Sequence, residues 1–326
     1  MDFLEPFLFG TFLGKEAWLW LVFLVIVATL LILDLGLLHR SSREIGIRES
    51  VVLSAGYMAI ALAFGGWVWV ELGRQAGLEY ITGYLIEWSL SVDNIFVMAL
   101  IFGFFAIPRE YQHRVLFWGI LGVIVFRAVL IGVGAALVQE FSWILYVFGA
   151  FLVFTGIKML VRGDHKPDLA NNPLLKYLRG HLRVTETLEG QSFFVRKPDP
   201  ARPGKTVRYA TPLFLCLMLI EGADLVFAVD SVPAIFAVTT DPFIVYTSNI
   251  FAVLGLRALY FALAAAIHRF RYLEKALGLI LVFVGGKIFF ADILGKIPTE
   301  ISLGMTIGLL AGGVAFSLVK TRSARG

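Results

Sequence analysis

Two stretches apolar enough to cross a bilayer carry acids at one matched spacing. EWSLSVDNI holds Glu87, Asp93 and Asn94, and DLVFAVDSV holds Asp224, Asp230 and Ser231. In each, an acid is followed six residues on by Val-Asp and a short polar residue, and Glu221 precedes Asp224 by one turn. A carboxylate at membrane depth costs about 2.5–3.5 kcal/mol even on the most lenient insertion scale. Several of them, repeated in arrangement, call for a bound species that compensates their charge.

The donors on offer are carboxylates, an amide and a hydroxyl. On a helix of 3.6 residues per turn, Glu87 and Asn94 share a face, whereas Asp93 lies about 9 Å along the axis from Glu87 and well round it. Glu221, Asp224 and Ser231 form one stripe, with Asp230 placed as Asp93 is. Pro233 removes the hydrogen bond to the Val229 carbonyl, so a kink there is expected to turn Asp230 inward and add carbonyl oxygen to the site. All-oxygen donors suit Mg²⁺, Ca²⁺ or Mn²⁺ rather than zinc or copper, and Met98, Met218 and Cys216 are the nearby soft atoms. The competing reading is structural: the five acids pair with Arg127, Arg257, Lys158 and Lys287 and hold the bundle together. The same four cations could instead act as internal competitors for the metal, and the lysines could simply snorkel.

Composition fixes the setting of these residues. Hydrophobic residues make up 59% of the chain and charged ones 16%, against about 25% charged in soluble domains. Runs of roughly 20 apolar residues cross a hydrocarbon core of about 30 Å, and nine spans are predicted: 17–38, 50–70, 80–105, 115–138, 143–161, 211–238, 244–267, 273–291 and 300–319. The first reads as a retained helix rather than a signal peptide. With loops alternating in side, 21 of the 28 Lys and Arg residues fall on one side. The positive-inside rule makes that side cytoplasmic and the N-terminus external, with Trp18, Trp20, Trp67, Trp69 and Trp143 at the outer interface. Asp34 sits near the inner end of the first span, as an interfacial charge or part of a gate.

The similarity between the acidic segments extends along the chain. GAFLVFTGIK (149–158) matches GLILVFVGGK (278–287) at six of ten positions, and Arg127-Ala128 matches Arg257-Ala258. Spans 3–5 thus correspond in order to spans 6–8. Each unit has three spans, so the second must be inverted, a recurrent transporter design with its site at the repeat interface. The expected organisation is a two-helix segment (1–79), a first repeat (80–161), a basic cytoplasmic loop (162–210), a second repeat (211–291) and a last helix with a basic tail (292–326). Within the loop, Leu174, Leu175, Leu178 and Leu182 share a helical face that is expected to lie on the membrane surface. FFVRKPDPARPGKTVRY is expected to form a hairpin.

The E-x5-D-N and E-x2-D-x5-D-S motifs, the repeated G-x4-F-x-G-x-K and the basic loop resemble the TerC family of bacterial membrane proteins, in its Alx-like branch. The resemblance covers nearly the whole chain. It implies a multi-pass inner-membrane protein that exports Mn²⁺ and responds to alkaline conditions, with Glu87, Asp93, Glu221, Asp224 and Asp230 as functional acids. It also carries older descriptions as a redox modulator or tellurium-resistance protein. The single cysteine allows no dithiol, and none of the five histidines lies mid-span as a haem ligand.

These readings converge on an all-α integral membrane protein that is no enzyme and holds no tightly bound cofactor. Its partners are a divalent cation, protons and the bilayer, not nucleic acid. The expected mechanism is cation/proton antiport. The alternatives are a membrane scaffold or stress-response factor, and a monovalent-cation/proton antiporter.

Overall fold

The computed structural model describes residues 10–34, 46–161, 169–199, 205–266, 273–294 and 297–323. Its long helices are α1 (Ala17–Leu33), α2 (Ile47–Leu72), α3 (Arg74–Phe104), α4 (Arg109–Glu140) and α5 (Ile144–Val161). After the short α6 (Pro173–His181) come α7 (Pro212–Phe236), α8 (Pro242–Ala266), α9 (Leu273–Leu294) and α10 (Thr299–Ser323). Every predicted span overlaps one of these helices. Seven of them are long and apolar enough to cross a membrane and α1 is a shorter apolar helix; the count of nine spans goes beyond what length and composition decide. Helix ends overrun the apolar windows where polar turns continue the helix, as Arg109–Arg114 do at the start of α4.

Helix α8 lies at the centre of the bundle, with buried residues along nearly its whole described length. It packs against α3 and α2, while α7 packs against α4 and α3. Hydroxyls join the layers: Ser54 Oγ donates to the Gly255 carbonyl at 2.9 Å and Tyr80 Oη to the Ala61 carbonyl at 3.1 Å. Such bonds hold helices together where lipid gives no hydrophobic drive for association. Helices α2 and α3 meet through the single residue Gly73, whose φ of +92° suits a residue without Cβ.

The α5–α9 pair shows why the repeated glycines exist. A Cβ on Gly149 would come within 3.1 Å of the Gly285 carbonyl oxygen, and one on Gly285 within 2.6 Å of the Gly149 carbonyl oxygen. Gly156 and Gly278 face each other in the same reciprocal way, at 2.6 and 2.9 Å. Because Gly149 aligns with Gly278 and Gly156 with Gly285, each contact is the counterpart of the other under exchange of the two glycine segments. Small residues here let two helix backbones touch.

The loop between α5 and α7 is built, not merely a connector. Strands β1 (Thr11–Phe12) and β2 (Lys15–Glu16) pair ahead of α1, and β3 (Phe194–Pro198) and β4 (Thr206–Ala210) form the expected antiparallel hairpin, with Arg196 opposite Arg208. Asn172 caps α6 by accepting from the Leu174 and Leu175 amides. The leucine face of α6 corrects the expectation of a surface helix on lipid. Leu175 is buried and Leu174 and Leu178 pack on the cluster that includes Leu116, Cys216 and Leu219. Leu174 abuts Gly222 of α7. Trp20 is buried within the protein, edge-on to Phe243, with its indole N–H on the Phe12 carbonyl.

Overpacking the glycine seam should cost about 1–3 kcal/mol. Gly156→Val is expected to lower the thermal midpoint of the detergent-solubilised protein, whereas Gly132→Ala, with nothing within 4 Å of the added methyl, leaves it unchanged. Equal midpoints for the two variants would contradict the close α5–α9 contact.

Candidate functional site: buried carboxylates paired with two arginines

The central acids lie where α3, α4, α7 and α8 meet. Glu87, midway along α3, is fully buried. Its Oε1 accepts from Arg127 Nη1 at 2.5 Å and from Ser91 Oγ at 3.0 Å, and its Oε2 accepts from Asn249 Nδ2 at 3.0 Å. The Asn249 carbonyl oxygen closes the triangle by accepting from Arg127. Arg127 Nη1 also reaches Ser231 Oγ at 3.5 Å.

A second pair forms beside it. Asp224 of α7 binds Arg257 of α8 through Nη2, while Arg257 Nη1 donates to the Leu116 carbonyl at 2.6 Å. Asn94 Nδ2 reaches Asp224 Oδ1 at 3.5 Å. Glu87 aligns with Asp224 and Arg127 with Arg257 in the repeated segments, so the two ion pairs join corresponding residues. Asn94 and Ser231 also correspond, and each reaches across to the pair of the opposite segment.

Glu221 differs from both. It is buried, and neither carboxylate oxygen has a hydrogen-bond partner among the described residues. Gly119 and Gly122 of α4 make its room: a Cβ on Gly119 would lie 2.8 Å from Oε1, and one on Gly122 2.6 Å from Cδ. Arg257 and Asp224 are the charges that act on it. Ionised, Glu87, Asp224 and Glu221 set three negative charges against the two guanidiniums of Arg127 and Arg257. That leaves one negative charge in excess inside a helix bundle.

The remaining predicted residues separate from this cluster. Helix α7 continues through Asp230 and Pro233 to Phe236, so the expected kink does not turn Asp230 inward. Asp230 instead takes a hydrogen bond from Thr155 and feels the Lys158 ammonium of α5. Lys287 is half-buried, with Glu79 as the opposite charge acting on it. The side chain of Asp93 lies outside the described residues. A small cavity lined by Ser91, Asn94, Met98, Asp224 and Arg257 adjoins the second pair, which places Met98, but not Met218 or Cys216, beside its oxygens. No three acid, imidazole or thiol groups among the described residues gather into a ready metal cage.

The description "Integral membrane protein TerC family" matches residues 72–325. The chain belongs to the TerC family. It is 46% identical to the membrane protein STKORF319 of Myxococcus xanthus, over 94% of this chain and 93% of that one. It is also 46% identical to a Rickettsia bellii membrane protein (92% and 97% of the two chains). A third relative at 46% is the Escherichia coli (strain K12) protein named "Putative membrane-bound redox modulator Alx" (90% and 91%). No solved structure gives a significant match.

Sequence reasoning about this TerC-family chain missed Asn249. The signal was available, since Thr247-Ser248-Asn249 interrupts an otherwise apolar span. Thr247 and Ser248 bond back to carbonyls of their own helix, which leaves only Asn249 to reach across.

Removing one partner of a buried ion pair strands the other and costs about 3–5 kcal/mol. Glu87→Gln should therefore destabilise the protein more than Glu87→Gln combined with Arg127→Met. Denaturant unfolding in detergent measures both, and a double variant no better than the single one would show that the pair is not coupled.

Proposed function

We propose that this TerC-family protein is a secondary transporter that exports a divalent cation, foremost Mn²⁺, in exchange for protons, with Ca²⁺ and Mg²⁺ as the alternative cargoes. The setting is the bacterial inner membrane, the N-terminus periplasmic and the basic loop and C-terminus cytoplasmic. The observation that carries this reading is Glu221: a carboxylate with neither oxygen partnered, one charge beyond what two arginines neutralise. In lipid such a group must be protonated or neutralised by a cation. That choice is the exchange an antiporter makes.

The oxygens of Glu221, Asp224, Asn94 and Glu87 supply hard donors for such a cargo, and Met98 adds a thioether beside them. Metal binding requires deprotonated carboxylates, so cation and proton compete for the same groups. Arg127 and Arg257 hold Glu87 and Asp224 while no cation does, which makes the guanidiniums internal competitors. The reciprocal contacts of the two segments support an inverted repeat whose halves could rock about these acids. Asp93 remains an acid of the motif, whereas Asp230, partnered by Thr155 and Lys158, lies apart from the oxygens that would hold the cargo. Export against an inside-negative potential costs about 4.6 kcal/mol per 100 mV for two charges, which proton influx would offset.

The name of the Alx relative favours a second reading, modulation of redox state. Cys216 is fully buried, so such an effect would follow from altered metal levels rather than from thiol chemistry in this chain.

Inverted vesicles test the proposal. Wild-type vesicles are expected to accumulate Mn²⁺ when a proton gradient is imposed, and not Na⁺. Glu221→Gln should reduce Mn²⁺ uptake at least tenfold without loss of folded protein, because it breaks no hydrogen bond. Gly122→Ala, which crowds the same carboxylate, should reduce it less. Wild-type rates in Glu221→Gln would remove the site assignment, and Cys216→Ser is expected to transport normally.

A further inference from the structure

A carboxylate that loads cargo from the cytoplasm has to be reachable from there, and in this structure Glu221 is buried. It lies between its own helix, α7, and α4, whose Gly119 and Gly122 make its room. On the side that the transport reading makes cytoplasmic, the lobe built of α6 and the β3–β4 hairpin rests on both of these helices. Against α7, Leu174 stands over Gly222, the residue after Glu221; a Cβ there would meet Leu174 Cδ2 at 2.8 Å. Against α4, Phe193 meets Trp118 edge-on, ring centres 6.5 Å apart, and lies 5.4 Å from the Arg114 guanidinium. Trp118 directly precedes Gly119. The lobe therefore touches each helix within one residue of a position that forms the Glu221 site.

The lobe is fastened in one way and closes the groove in another. Hydrogen bonds fasten it at the start of α7. Thr211 Oγ1 donates to the Ser192 carbonyl at 2.7 Å and the Thr211 amide to the Phe193 carbonyl at 3.0 Å. Ala210, the last residue of β4, exchanges backbone bonds with Arg183 and Thr185 at 2.8 and 2.9 Å. Phe194 packs on Phe214 in the first turn of α7, ring centres 4.5 Å apart. Over the groove, the lobe lays apolar side chains instead: Leu175 is buried, and Leu174 and Leu178 pack on the cluster that holds Leu116 and Leu219. The Asn172 cap fixes the turn of α6 that carries Leu174 and Leu175.

We propose that this lobe is the cytoplasmic gate of the carboxylate site, hinged at Ala210–Thr211, with Leu174 as its plug over Gly222. The inference rests on the transport reading and names what moves when Glu221 is loaded. An apolar constriction keeps water and hydrated ions out, and gates by dewetting. Lifting Leu174 and Phe193 from the groove separates carbon from carbon and exposes the Arg114 charge to water. It strands no hydrogen-bonded group of the kind whose loss makes burial costly. The bonds at Thr211 stay in place, so the lobe swings rather than detaches, as hinged elements do. Gly222 fits the duty of a seat: the end of the leucine occupies the space that any Cβ would fill.

The test uses the full-length protein in a Cys216→Ser background and two readouts. Inverted vesicles turn the lobe toward the bath. Leu174→Cys with Gly222→Cys, and separately Trp118→Cys with Phe193→Cys, are joined by a bifunctional thiosulfonate that dithiothreitol removes. Either cross-link is expected to abolish Mn²⁺ uptake, and the reductant to restore it; uptake that continues with the lobe locked overturns the gate. The second pair leaves α7 intact, so it decides the matter if Gly222→Cys disturbs the site. Independently of transport, spin labels at the exposed positions of Glu110→Cys and Tyr177→Cys report the distance from lobe to α4 in nanodiscs. Two separations are expected. Gly222→Ala, which pushes Leu174 off its seat, should shift the balance toward the longer one. A single separation in both proteins means a fixed cover and overturns the gate even where Mn²⁺ is transported. Two separations in protein that moves no Mn²⁺ uphold the hinged lobe and overturn the transport reading instead.

Discussion

A carboxylate inside a helix bundle in lipid cannot keep its charge without a partner, and the interior of this protein is arranged around that constraint. Two acids satisfy it with arginines. Glu87 and Asp224 each take a guanidinium from the adjacent helix of their own segment, and each arginine has further acceptors, Asn249 in one case and the Leu116 carbonyl in the other. Arginine suits this duty because its planar fork serves several acceptors at once and stays protonated. Glu221 is the acid for which no such partner is provided. A buried acid without a hydrogen-bond partner in the same stripe as Asp224 is a poor source of stability.

Holding those acids together requires helices from both segments to approach closely. The first helix of each segment packs against the middle helix of the other: α3 on α8, and α7 on α4. Glycine makes the approach feasible where charged side chains need the space, as Gly119 and Gly122 do for Glu221. The third helices, α5 and α9, close on each other through their four reciprocal glycines. One half cannot present its acids without the other, which ties the charge arrangement to the way the segments interlock. Movement of one segment against the other would therefore change which partner each acid meets.

Much of this was legible in the sequence, and what was not has identifiable causes. Hydropathy located the helices because length and apolarity alone govern insertion. Matched spacing identified the acids and both arginines. Direction was harder. Six residues along a helix amount to about 600°, so Asp230 points some 240° round from Asp224. Only an interrupted helix could have brought them together, and α7 remains continuous past Pro233 because a proline in its last turns sacrifices little hydrogen bonding. Seven residues return almost to the same face, which is why Ser231 and Asn94 do reach the cluster. For α6, the leucine stripe was evident but not its counterpart. Periodicity shows that a face is apolar and cannot distinguish lipid from the groove beside Gly222. Asn249 was overlooked because a lone amide in a span has no repeat to announce it; its aligned position in the first segment is Gly119, so the segments differ at this contact.

That difference gives the two ion pairs unequal roles. Around Arg127, the amide of Asn249 and the hydroxyls of Ser91 and Ser231 bond the Glu87 carboxylate and Nη1, so more bonds hold this pair than the other, although Nε of both arginines is unpartnered among the described residues. Around Arg257, the aligned position is a glycine, and the room it leaves is taken by Glu221 and by the guanidinium itself. A second acid therefore crowds a pair that has fewer bonds to hold it. Among the described residues, Asp224 has the unpartnered Glu221 beside it, whereas the Glu87–Arg127 pair has no unpartnered acid next to it. Two matched ion pairs, one held by more bonds than the other, differ in how readily they would exchange partners. The matched spacing of the motifs gives both halves the same ion pair, and the exchange of Asn249 for Gly119 at the aligned position makes their surroundings differ.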